Sequence, residues 1–128
     1  MKTLILAALL SAAIIPATVF GVGPYESGNS LLAKCENKKS TDLDYGLCLG
    51  YIRGIVDVHN TFVAGGLILP RYCLAKGVTT GQLQKIVVKF MEERPELLHQ
   101  SAGIFVIAAF SSAFPISYKD DGDSSCQE

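Results

Sequence analysis

The chain is short of the groups that catalysis needs. It has only two histidines, His59 and His99. Asp57 and His59 stand two apart on a predicted helix, about 200° around its axis, so neither can orient the other. No serine sits in a Gly-x-Ser-x-Gly elbow, and no Cys-x-x-Cys or His-x-His pair opens a zinc site. Positive charge is no richer: eleven Lys and Arg face twelve Asp and Glu, a net of −1 with no basic stripe, which argues against a nucleic-acid partner. Beyond the first fifteen or so residues the apolar runs are short, and Ile104 to Phe110 suits a buried helix rather than a membrane span. β-alternation, internal repeats and low-complexity segments are missing too. These absences point to an all-α protein that is not an enzyme and uses no cofactor or metal.

What is present begins with Met1, Lys2 and an apolar run from Leu4 to Ile15 broken by Pro16, followed by Val19, Phe20 and Gly21. That is the pattern of a secretory leader over residues 1–21, with a mature domain over 22–128 that has no stable membrane insertion once the leader is gone. Cys35, Cys48, Cys73 and Cys126 all follow the leader, and an even count in a small exported chain reads as a disulfide framework. Four cysteines allow three connectivities, and at this point all three stay open.

Helical periodicity organises the rest. Asn29 is the expected cap of a first helix of barely two turns carrying Leu31, Leu32 and Cys35, ended by the polar stretch from Glu36 to Asp44. A stripe of Cys48, Tyr51, Ile52, Ile55, Val56, His59, Phe62 and Val63 predicts a second helix of about five turns. Gly50 and Gly54 lie on or beside that stripe, and each predicts close approach of a neighbouring helix. Thr79 and Gln82 form a capping-box signature for a third helix. Its expected buried face is Leu83, Ile86, Val87, Phe90 and Met91, with Gln84, Lys85, Lys89, Glu92 and Glu93 in water, and Pro95 stops it. Ala102 to Phe114 has almost no polar face and is expected to be the most enclosed helix. Residues 118–128, with Asp120, Asp121 and Asp123, read as a solvated tail that is mobile unless Cys126 is tied down, and they lack the ligand spacing and closing Glu of a calcium loop. The outcome is a small four-helix domain.

The sequence as a whole resembles the Rap/Tai immunity proteins of type VI secretion. The residues that carry the likeness are Gly28-Asn29-Ser30-Leu31-Leu32 with Cys35, and Cys48-Leu49-Gly50-Tyr51-Ile52-Arg53-Gly54-Ile55-Val56-Asp57. They continue with Cys73 ahead of Gly77-Val78-Thr79-Thr80-Gly81-Gln82-Leu83, Pro95-Glu96 with His99, and Ala113-Phe114-Pro115. The likeness spans nearly the whole mature chain. It implies a small helical domain in the periplasm that inhibits a peptidoglycan amidase delivered by neighbouring cells, with no activity of its own. One departure is Ile116, which stands where such sequences carry a cysteine after Phe-Pro, and Cys126 is its expected substitute. Three other readings remain in view, a periplasmic stress chaperone, a hydrolase that would turn over peptidoglycan fragments, and a small binding protein of another kind, and a homodimer is compatible with all of them.

Two expectations follow for staples and surface. The first helix ends at Cys35 and the second begins near Cys48, while the end of the fourth returns to the start of the third; this predicts Cys35–Cys48 and Cys73–Cys126 pairs. Leu67, Ile68, Leu69, Pro70, Arg71 and Tyr72 form an apolar connection where a polar turn is usual. Either this segment folds back over the bundle or it is exposed, and in the second case Leu67, Ile68, Leu69, Arg71 and Tyr72 are the expected partner-binding residues, with Tyr72 and Arg71 of the types enriched at binding hot spots.

Overall fold

The computed structural model describes residues 26–36 and 41–117. The expected leader, the expected tail and Cys126 lie outside the described residues. Four α-helices follow in order: α1 (Gly28–Cys35), α2 (Asp42–Ala64), α3 (Thr80–Glu92) and α4 (Ala102–Ala113), with a 3-10 turn at Pro95–Leu97. Among the described residues there is no strand, only one antiparallel bridge between Ser27 and Ser101.

Helix α1 is capped by Ser27, whose hydroxyl accepts from the Ser30 N–H at 3.2 Å, so Asn29 lies inside the helix and is not its cap. The Ser27 bridge ties the start of α1 to the start of α4 through Gly28 N–H to Gln100 O (2.9 Å) and Ala102 N–H to Glu26 O (2.7 Å). This crossing is where a glycine allows close approach: a Cβ on Gly28 would lie 2.7 Å from Phe105 Cε2 and 3.0 Å from the Leu98 carbonyl oxygen, so a larger residue forces its neighbours to shift.

Helix α2 begins well before its apolar stripe. Thr41 and Asp44 form a capping box, with the Asp44 N–H on Thr41 Oγ1 at 3.1 Å and the Thr41 N–H on Asp44 Oδ2 at 3.2 Å. Asp42 and Asp44 also suit the positive end of the helix dipole. The first two turns pack little, since Leu43 and Leu47 are exposed, and the stripe takes over at Cys48 with Ile52, Val56 and His59 buried. Gly50 and Gly54 do not mark a helix crossing: both face outward, and a Cβ on either would meet nothing within 4 Å.

Helix α3 starts at the expected capping box, with the Gln82 N–H on Thr79 Oγ1 at 3.2 Å and the Thr79 N–H on Gln82 Oε1 at 2.8 Å. Leu83, Val87 and Met91 are buried and Ile86 and Phe90 pack partly against them. Gln84 departs from expectation. It is buried, and its Nε2 donates to the Cys35 carbonyl at 2.8 Å, satisfying an otherwise orphan acceptor at the end of α1. Helix α4 buries Ala102, Phe105, Val106, Ala109 and Phe110, but it is not enclosed all round, because Ile104 and Ile107 face outward.

The core joins all four helices through Leu31, Ile52, Val87, Met91, Val106 and Phe110. Cys35 and Cys48 form a disulfide with Cα atoms 5.2 Å apart, and its sequence separation of 13 corresponds to about 3 kcal/mol of loop-closure entropy. Cys73 is disulfide-bonded as well, and its N–H donates to Phe114 O at 3.0 Å, which puts the end of α4 beside it. The partner expected for it, Cys126, falls outside the described residues.

Candidate functional site

The connection from Gly65 to Thr79 is the longest in the bundle, and its first half builds the most distinctive surface of the molecule. Gly65 closes α2, and Gly66 turns the chain with φ +67°, a left-handed conformation that glycine adopts without strain. Two bonds fix the turn, Gly66 N–H to Val63 O at 3.0 Å and Leu67 N–H to Phe62 O at 2.9 Å. Leu67 and Leu69 then project into solvent, 72% and 78% exposed.

Behind this ridge runs an open apolar groove of about 620 Å³. Ile55, Val58 and Phe62 of α2, Ile68 and Leu69 of the connection and Ile107 of α4 form its walls. His59 and Arg71 are its only polar side chains. On the far side of Arg71 and Ile107 a second hollow continues along Ile104, Ala108 and Ser111 of α4.

His59 anchors the connection. It is buried on α2, and its Nε2 accepts the Arg71 N–H at 3.0 Å, so this nitrogen carries no proton; Nδ1–H faces Asn60 Oδ1 at 3.3 Å. The imidazole stacks on Tyr72, with ring centroids 4.1 Å apart and planes within 17°, and Tyr72 meets Phe110 edge-on at 5.3 Å. Tyr72 is thus 2% exposed and packs into the core, which corrects its expected place on the binding surface. Its hydroxyl has no hydrogen-bond partner among the described residues, and burial pushes the phenol up to about 12. The other four expected surface residues, Leu67, Ile68, Leu69 and Arg71, are all exposed and lie together.

The remaining residues singled out in the sequence are structural or peripheral. Tyr51 is half-buried, its hydroxyl 3.5 Å from where a Cβ on Gly103 would stand, and burial together with the Glu26 charge raises its phenol. Asp57 and His99 are exposed, and Pro95 opens the 3-10 turn. Sequence reasoning missed Val58 and Ile107 as groove residues. The spacing of Ile55, Val58, His59 and Phe62, a second apolar stripe along α2, was the available signal.

The groove offers no nucleophile and no acid–base pair: the one imidazole spends its acceptor on a backbone N–H, and no carboxylate, hydroxyl, thiol or amine lines it. No His, Cys, Asp and Glu cluster suited to a metal occurs among the described residues, and none of their helices is long and apolar enough to cross a membrane. Fold and site together define a small, disulfide-stapled helical domain with an open apolar groove on its surface. The family model of the Rap1a immunity proteins matches residues 27–116, and the chain belongs to that family. It is by class an immunity protein against a secreted effector, a class that is generally non-catalytic. No curated protein and no solved structure matches the chain.

Proposed function

We propose that this is a periplasmic immunity protein that binds a peptidoglycan amidase delivered by type VI secretion and blocks its cleft sterically. The observation that carries the reading is the Leu67–Leu69 ridge beside an apolar groove. Exposed apolar surface of this extent on a small domain is the mark of a protein interface. The ridge is ordered before any partner arrives, through the Gly66 turn, Pro70 and the His59–Arg71 bond, so docking costs little conformational entropy. The disulfides suit an oxidising compartment, as does the secretory leader expected over residues 1–21.

The test is periplasmic co-expression with candidate secreted amidases, scored by lysis. Protection by the wild-type chain, lost in a Leu67→Asp/Leu69→Asp double variant that still folds by circular dichroism, is the expected result. Protection unaltered by that double variant would move the interface elsewhere, and failure to protect against any amidase would refute the amidase assignment.

A further inference from the structure

We infer that Arg71 is the specificity determinant of the groove, receiving a carboxylate carried by an apolar segment of the protein partner. This rests on the reading of the groove as the inhibitory surface and adds the chemistry of what enters it.

Arg71 lines both the main groove and the adjoining hollow, so it lies centrally on the apolar surface rather than at its rim. No acidic side chain lines either hollow. Its backbone N–H is held by His59, which fixes where the side chain starts, while its guanidinium has no hydrogen-bond or ion-pair partner among the described residues. A guanidinium unpaired among the described residues, on a side chain that lines the same hollows as Ile68, Leu69, Ile104 and Ile107, is poorly compatible with an occupant that is apolar throughout, because docking would strip water from the cation and give nothing back. A carboxylate matches it with two parallel hydrogen bonds, strengthened by the apolar surroundings.

Charge also separates the occupants. In a two-fold contact between copies the same patch meets itself, which brings two Arg71 side chains to a surface lined by no acid. An anionic membrane surface calls for a cluster of cations, and these hollows hold one. A protein segment with apolar anchors and a single Asp or Glu answers both the shape and the charge, and Arg at the centre of such a contact is a typical hot spot.

The experiment is calorimetric titration of the full oxidised chain, wild type and Arg71 variants, with the amidase neutralised in the co-expression assay. Arg71→Gln keeps the backbone N–H that bonds His59, and Lys85→Glu on the exposed face of α3 serves as control. Arg71→Gln should weaken binding by about 30-fold and Arg71→Glu by more, whereas Lys85→Glu should stay within about twofold of wild type. Wild-type binding with both Arg71 variants within about threefold of it would overturn the carboxylate assignment while the immunity reading stands. A wild type that binds no amidase overturns both. Sedimentation completes the test: a wild-type dimer that Arg71→Glu dissociates would give the groove to a second copy and overturn the assignment.

Discussion

Replacing Tyr72 by Phe should make this protein more stable, against the usual direction of core substitutions. The Tyr72 ring stacks on His59 and meets Phe110 edge-on, and phenylalanine keeps both contacts. Only the hydroxyl is lost, and that hydroxyl is buried without a partner among the described residues. Mutational data put the cost of an unsatisfied buried hydroxyl at about 1–3 kcal/mol, part of which returns as lost packing around the missing oxygen, so a net gain of about 1 kcal/mol is expected. In a domain of this size that is a rise of about 4 °C or more in Tm. The pH dependence supplies a second readout. Burial raises the phenol to about 12, so the folded state holds this proton more tightly than the unfolded state. The associated stability is complete below the ordinary tyrosine value of about 10 and is lost as pH rises toward 12. Tyr72→Phe removes that loss, so its advantage should widen in alkali. Urea unfolding of the oxidised protein followed by circular dichroism, at about pH 7 and about pH 11, measures both effects. A variant less stable by about 1 kcal/mol or more at neutral pH would show that the hydroxyl is bonded in solution, and the reasoning would fail.

The glycines give opposite outcomes. Gly54→Ala, with open space around it on an exposed helix face, should raise stability by up to about 1 kcal/mol, whereas Gly28→Ala should lower it by about 1–3 kcal/mol because Phe105 and the Leu98 backbone must give way; denaturant midpoints of the two variants decide. Thr79→Ala should cost about 1 kcal/mol by uncovering the Gln82 N–H, and an unchanged midpoint would show that the cap bond is not formed in solution.

The fold class was legible because three of the four helices carry strong local signals. Thr79 and Gln82 announce α3, the stripe from Cys48 to Val63 outlines α2, and Pro95 and Pro115 bound the segments around them. What misled was the use of polarity as a proxy for exposure. Gln84 is polar and buried because a helix end needs a donor there, which depends on α1 arriving against α3 and on nothing local. Gly50 and Gly54 look like a packing motif, yet the face they share points away from every other helix, and the close approach falls on Gly28. The start of α2 was placed late because Leu43 and Leu47 are exposed, so the apolar period that marks a buried face does not begin until Cys48, although the Thr41–Asp44 box was there to be read.

The candidate site was half legible for a related reason. An apolar run from Leu67 to Tyr72 between helices is visible as an anomaly, but composition does not say which side chains of the run look inward. The answer comes from His59, twelve residues earlier on α2: its Nε2 needs a donor once buried, and the Arg71 N–H supplies it. That bond sets the direction in which the chain enters residue 72. Tyr72 therefore turns into the core onto the imidazole that positioned it, and Arg71, its immediate neighbour, turns out to the groove. The two residue types that suggest a hot spot are split between two tasks. Tyr72 spends its area on fastening the connection to the bundle, which keeps Leu67 and Leu69 exposed in one arrangement, and among the described residues Arg71 brings the one charged side chain to the groove so presented. A loop fastened in this way can be apolar and exposed without collapsing onto its own core, because the place it would collapse into is already filled by Tyr72.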